Sequence, residues 1–383
     1  MTTCASEMEP KKTSRREFVK ISAGAMGLLS LTRAVPALGA LPAFAPASFQ
    51  DSRRSILVLI QLVGGNDGLN TVIPFTDDRY YRLRPTLAVS AKSVLKLTDS
   101  IGLHPACRGL RQLYHEGQLA IIQGVGYAQP NRSHFGSTEI WETGNPLGPL
   151  QSTGWLGRYF DAIKTPELSP LDPVAVHFSH QTPGVLVGQT DQPVCGFNLQ
   201  TSQPATHVGC INRIADSYRT SVAFPDSRFG DSLRNTAALI AADTSAQVYH
   251  ITLGGFDTHS HQANAHYHLL KTLSEGLSAF QNELQSLHLD DRVLTMTYSE
   301  FGRRAAENER LGTDHGTAMP VLLMSPKIKG GVHGESPPLP LDANQDLGHT
   351  TEHIQLYGTV LESWLGCPNR LVFDQPVQPL AFI

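Results

Sequence analysis

Charge is scarce in this sequence. Only 17% of its 383 residues are Asp, Glu, Lys or Arg, and the formal balance is -4. Without a basic surplus there is no electrostatic case for nucleic acid or an anionic membrane surface as partner. Long hydrophobic runs are missing as well; none reaches the roughly 18 apolar residues that a membrane-spanning helix needs. Cysteine is sparse, at five residues, and neither a C-x-x-C pair nor a Cys/His zinc spacing occurs, which argues against a cysteine-built metal centre. No internal repeat or low-complexity tract is present, so solenoid architectures are excluded. What remains is 40% hydrophobic residues, enough to build the core of one large domain or two modest ones. Histidine is plentiful, with 16 residues and five of them between His250 and His268. A surplus of histidine is compatible with metal binding, although most surface histidines bind nothing.

The first 45 residues have a character of their own. "KKTSRREFVKISAGAMGLLSLTRAVPALGALPAFA" combines a basic start, a weakly apolar stretch and small residues suited to a signal peptidase. "SRREFVK", with Arg15–Arg16, Phe18 and Lys20, resembles the twin-arginine export signal. Ile21 to Leu31 is too short and too rich in Gly, Ala and Ser to span a membrane. Cleavage after Ala45, or after Ala40, leaves a mature protein that is periplasmic or secreted and has the twin-arginine export machinery as a partner. That route carries folded proteins and often accompanies a bound cofactor. Four cysteines remain in the mature part. Cys195 and Cys210 flank a Ser/Thr/Gln-rich loop and either form a disulfide in an oxidising compartment or stay as buried thiols.

Beyond the leader, apolar strand-like runs alternate with helical patterns. "SILVLIQLV" (Ser55–Val63), "LAIIQGVG" (Leu119–Gly126), "AQVYHITLGG" (Ala246–Gly255), "DRVLTMTYSEFG" and "MPVLLMSP" predict five central strands. Helical spacing marks Arg228–Asp243 and His261–Leu287, the latter through Leu269, Leu270, Leu273, Leu277, Phe280, Leu284 and Leu287. Such alternation predicts an α/β fold with a mainly parallel central sheet and helices on both faces. Residues 146–224 are loop-rich and irregular, and predict an insertion or cap within a domain of residues 46–383.

The polar clusters share a position. "GGNDGLN", "YAQPNRSHF", "GGFDTHSHQ" and "SEFGRR" each follow a predicted strand, at the edge where open α/β sheets bind ligands. Singly, each has an ordinary explanation. Asn66–Asp67 can be an Asp-Gly turn, Asp257 or Ser260 can cap a helix, and Asp314–His315 in "GTDHG" can form a turn before the last strand. Together, three carboxylates and two or more histidines at one sheet edge suit zinc, manganese or iron. Five or six ligands exceed the needs of one catalytic zinc and point to two divalent metal ions. Ser133 stands at the predicted start of helix His134–Thr143, as an N-cap or as a nucleophile favoured by the helix dipole. Arg132 beside it can neutralise a phosphate-like group, and Asn66 is a second candidate substrate contact. Glu300, Arg303 and Arg304 are either polar support for the site or a charged loop.

The order Asp67, Ser133, Asp257-x-x-x-His261, Asp314–His315 resembles the alkaline-phosphatase-like superfamily, and "RLGTDHGTAMPVLLMSP" is similar to the matching segment of its phosphopentomutases. More closely, the leader with "GGNDGLNTVIPF", "NRSHF", "GGFDTHSHQ", "SEFGRR" and "GTDHG" resembles domain-of-unknown-function family 1501, from about Ser55 to Gly366. The resemblance implies an alkaline-phosphatase-like fold and hydrolysis or transfer at phosphate or sulfate esters; it implies no particular substrate, and a small-molecule or glycan ester is the expected partner. It implies that Asp257 and His261 hold one metal, zinc or manganese. Asp67, Asp314 and His315 then hold the other, and Ser133 bridges both as nucleophile. A late histidine completes the set, His349 first and His333 second. No C-x-P-x-R or C-x-A-x-R stretch exists, so the formylglycine of classical sulfatases cannot be made. The alternative is a non-catalytic envelope binding or assembly protein that retains the fold.

Overall fold

The computed structural model describes residues 55–145, 153–163, 173–197, 208–343 and 345–383. The predicted leader and parts of the predicted 146–224 insertion lie outside the described residues. Among these, the strands in chain order are β1 (Ile56–Val63), β2 (Val72–Ile73), β3 (Leu95–Lys96), β4 (Gly102–Leu103), β5 (Leu119–Gly126) and β6 (Ala175–His177). They continue with β7 (Val194–Gly196), β8 (Val248–Gly254), β9 (Val293–Tyr298), β10 (Met319–Met324), β11 (Gly331–His333) and β12 (Thr351–Glu352). Nine strands make one sheet in the order β11-β5-β10-β9-β1-β8-β6-β7, with β12 also paired to β5, while β2, β4 and β3 form a small separate sheet.

β1 shows why the predicted runs became central strands. Its side chains alternate in direction, so both faces must be apolar when helices cover both. Ile56, Val58, Ile60 and Leu62 enter one core with the helices Arg108–His115, Arg228–Ala241 and Gln262–Ser286. Leu57 and Leu59 enter the other, with the helices His134–Thr143, Trp155–Ala162 and His353–Thr359. Each such residue, fully buried, contributes roughly 1.5–3 kcal/mol. The periodic Leu270, Leu273, Leu277, Phe280 and Leu284 of the long helix are all buried in the first core.

The sheet is mainly parallel, as predicted, with one reversal. β1 runs parallel to β8 and β9, whereas β10 is antiparallel to both β5 and β9. This reversal decides where Asp314–His315 go. Residues that precede an antiparallel strand emerge at the edge where its parallel neighbours end, so the pair joins the loops after β1, β8 and β9. Residues 146–224 do more than cover a rim, because β6 and β7 extend the sheet in parallel beside β8. Cys107, Cys195 and Cys367 are buried free thiols, and the side chain of Cys210 lies outside the described residues. No described helix is long and apolar enough to cross a membrane.

Candidate metal centre at the strand ends

The loop after β1 turns sharply through Gly64 and Gly65, with φ of +116° and +83°. A side chain on Gly64 would sit 2.4 Å from the backbone nitrogen of Asp257, so the β1 and β8 loops meet here backbone to backbone. Arg303, wholly buried, fastens them. It donates to the carbonyls of Gly64, Gly65, Phe256 and Thr313, and its Nη2 lies 2.7 Å from Asp257 Oδ1. Arg303 and His315 pair as a short antiparallel bridge, which Gly302 and Gly316 extend by exchanging backbone bonds with Thr317 and Gly302. "SEFGRR" is therefore structural support for the site.

Asp257 is the centre of a cluster of rings. His315 Nε2 is 3.1 Å and His259 Nε2 3.0 Å from Asp257 Oδ1, and His134 Nε2 is 3.5 Å from Oδ2. The two ring nitrogens His259 Nε2 and His315 Nε2 are 2.9 Å apart. Each ring is held from behind. His134 Nδ1 faces Glu300 Oε1 at 2.8 Å, His315 Nδ1 faces the Arg132 carbonyl at 2.9 Å, and His259 Nδ1 faces Asp314 Oδ1 at 3.2 Å. All three partners are acceptors, and a proton on each Nδ1 leaves each Nε2 lone pair facing the cluster, the arrangement that suits a bound cation. Phe301 forms the floor, with ring centroids 4.9 Å from His134 and 4.4 Å from His315. Partial burial opposes the charge on Asp257, but the hydrogen bond and charge of Arg303 outweigh it and bring its pKa down to about 2. Asp314 is also lowered, first by its bond from Asn308 and then through His259.

Converging lone pairs beside a carboxylate repel unless a cation lies among them. Ligand atoms of His134, Asp257 and His315 all lie within 4.8 Å of one another. Ligands about 2.0–2.1 Å from a tetrahedral zinc stand about 3.3 Å apart, close to the 3.1 and 3.5 Å found for His315 and His134 against Asp257. The donor set and its spacing fit a zinc-class ion.

The other predicted ligands are placed elsewhere. Asp67 is buried in an ion pair with Arg84 at 2.6 Å and also accepts from Gln262 and the Asn70 amide. Burial opposes its charge, and the charge and hydrogen bond of Arg84 more than compensate, so its pKa is lowered. Asn66 is buried too, accepting from Thr71 and facing His266. His261 occupies a left-handed position (φ 46°) at the start of the long helix and is exposed, so it does not converge with Asp257. The next residue, Gln262, turns inward and joins Asp67 to Thr258 and Thr313. His349 pairs with Glu352, and His333 faces the Lys329 carbonyl. Arg132 sends its side chain to Asp346, and Ser133 is the exposed N-cap of helix His134–Thr143 with no side-chain capping bond.

The sequence reading named neither His134 nor His259 as a ligand. The signal for His134 was its place directly after Ser133. His259 was hidden because Asp257-x-His259 reads as a strand-end loop until the Asp314 loop folds against it.

Residues 213–375 match the model of a family described as Protein of unknown function (DUF1501). The matched segment holds Asp257, His259, Arg303, Asp314 and His315, whereas Asp67, Ser133 and His134 precede it. No curated protein matches the chain. Similar solved structures include the C-terminal periplasmic domain of EcEptC from Escherichia coli in complex with Zn. That likeness has 12% identity, covers 86% of this chain and 92% of that one, and gives a TM-score of 0.43. A phosphonate monoester hydrolase, SpPMH from Silicibacter pomeroyi, is 12% identical over 85% of this chain and 76% of its own, with a TM-score of 0.40. A protein in the alkaline phosphatase superfamily from Vibrio parahaemolyticus is 10% identical over 82% and 67%, also at 0.40. Likeness this distant carries no argument about the site or its activity.

Proposed function

We propose that the chain is an exported hydrolase of phosphate-type esters, built around one divalent ion, zinc or manganese, held by His134, Asp257 and His315. The observation that carries this is the convergence of imidazole Nε2 atoms on Asp257, each ring fixed by an acceptor at its Nδ1. A bound ion there would polarise an ester oxygen and offset developing charge. Ser133 supplies the attacking hydroxyl, since it adjoins His134 at a helix start whose free N–H groups favour an anion. His259, backed by Asp314, is the base that takes and returns a proton. Attack breaks the ester bond to the alcohol, which leaves with the proton from His259, and water then cleaves the serine ester to release the acid and restore the hydroxyl. Arg303 holds Asp257 in place, and the half-exposed carboxylate leaves room for an ester of a small molecule or glycan. The second ion anticipated from the sequence is left out, because Arg84 already neutralises Asp67.

Zinc and manganese titrations on the purified mature protein test this, together with phosphomonoester, phosphodiester and sulfate-ester panels. One zinc per chain is expected, and His315→Ala or His134→Ala should weaken binding by at least about tenfold. A protein that binds neither metal sinks the reading. A second reading, a metal-binding envelope protein without turnover, is favoured by the Asp67–Arg84 pair and by the pairing of His349 with Glu352 outside the cluster. Stoichiometric metal with no turnover on any ester would select it.

A further inference from the structure

Two arginines at the lip of the cluster share one carboxylate. Arg132 lies beside His315, whose Nδ1 donates to its carbonyl, and the amide of Arg304 donates to the Asp314 carbonyl at 3.0 Å. Both guanidinium groups turn to Asp346. Arg132 Nη1 reaches Oδ2 at 3.2 Å, while Arg304 Nε stops 3.8 Å from Oδ1. Only the first is a hydrogen bond. Arg304 Nε and Asp346 Oδ1 are both buried with no hydrogen-bond partner, which is costly for an ionic donor and acceptor. Two guanidinium groups thus share the single carboxylate of Asp346, and the charge of Arg304 also reaches Asp314. An incoming oxyanion would be attracted to this pair and would supply the acceptor that Arg304 lacks.

Asp346 also lines a cleft of about 310 Å³ with Tyr127, Asn131, Phe301, Thr317 and His349. Phe301 is the floor of the metal cluster, so cleft and cluster share a wall. The ionic groups of the cleft have internal partners: Asp346 has its arginines, and His349 has Glu352. Hydroxyl, amide and aromatic groups make up the rest of its polar lining.

We propose that Arg132 and Arg304 form an oxyanion-binding pair for which Asp346 competes. The ligand is an oxyanion monoester whose uncharged, hydroxylated part lies in the adjoining cleft. The position of the reacting centre rests on the hydrolase reading above, whereas the arginine pair does not need the metal. Asp346 is a positioning residue in this scheme, acting through the two guanidinium groups.

Calorimetric titration with inorganic phosphate, on zinc-supplemented and on chelator-treated protein, tests the pair. Asp346→Asn should tighten phosphate binding about three- to fivefold, the scale of a partly exposed ion pair. A purely structural role for Asp346 would not produce such a gain. Asp346→Glu should return affinity to the starting value, and Arg132→Gln should weaken it by a similar factor. Glycerol phosphate should bind more tightly than inorganic phosphate, and Ala128→Trp, at the cleft wall, should remove that margin alone. Unchanged or weaker phosphate binding in Asp346→Asn overturns the pair. Should that variant fail to fold, unchanged affinity in the exposed Arg132→Gln overturns it equally. If neither zinc nor manganese binds but Asp346→Asn still tightens phosphate, the hydrolase reading falls and the arginine pair stands.

Discussion

Buried charge governs this protein at the scale of single residues. Asp67 and Arg84 are both fully buried, and Arg84 also ties Asn70 and the carbonyls of Arg304 and Ala305. A pair of this kind adds little to stability compared with apolar packing, yet losing one partner is expensive. Arg84→Leu should destabilise the protein by about 3–5 kcal/mol in urea unfolding, because Asp67 is stranded. Asp67→Asn combined with Arg84→Met should recover a good part of that loss. Unfolding midpoints that put the single Arg84→Leu level with the wild type would show that water or another group serves Asp67. Arg303 is the more functional of the two arginines, since its Nη2 restrains the very carboxylate around which the rings gather.

At the scale of elements, the site depends on loops that approach more closely than side chains permit. Gly64 combines φ of +116° with a backbone neighbour 2.4 Å from where a Cβ would stand. Gly64→Ala should therefore cost about 1–3 kcal/mol from backbone strain alone. It should also weaken zinc binding, because the displaced backbone is that of Asp257. A variant with unaltered melting and unaltered zinc affinity would mean that the β1 and β8 loops can separate freely. The reversal of β10 acts at the same scale. Were it parallel to β9, Asp314 and His315 would emerge at the opposite edge of the sheet, far from Asp257.

For the whole molecule, acid sensitivity follows from histidines placed inside it. Burial pushes His104 and His266 down to about 4, and His250 and His353 down to about 3, from an ordinary 6.5. The folded protein keeps these rings neutral while the unfolded chain takes up their protons near pH 6.5. Stability is thus full above that pH and falls as pH drops from 6.5 toward 4 and 3. For His266 alone the loss is on the order of 3 kcal/mol. Thermal melts from pH 7 to 4 should show a steep decline, and His266→Gln should make it shallower; an equal slope in the variant would contradict the assignment. The carboxylates act later, because Asp257, held near 2, gives up its contribution only below its ordinary 3.8.

Strand and helix periodicities were legible from the residues because burial on both faces of a sheet demands continuous apolar runs. β5 and the helix His134–Thr143 have the predicted limits, and the long helix begins one residue late because His261 takes a left-handed turn. The edge of the sheet that carries the polar residues was legible too, since each cluster follows a strand. Direction was not. Which side chain of "FDTHSHQ" turns inward depends on the Asp314 loop packing over it, so Asp257 meets His259 and not His261. Likewise, whether Asp67 faces a metal or an arginine depends on Arg84, seventeen residues away and delivered by another element. By itself the sequence determined which elements form, which edge is polar and which residue types gather there, because periodicity and turn chemistry are local. Only the tertiary structure decided which acceptor stands behind each ring and which charge answers each buried carboxylate, because those partners meet through packing between distant segments.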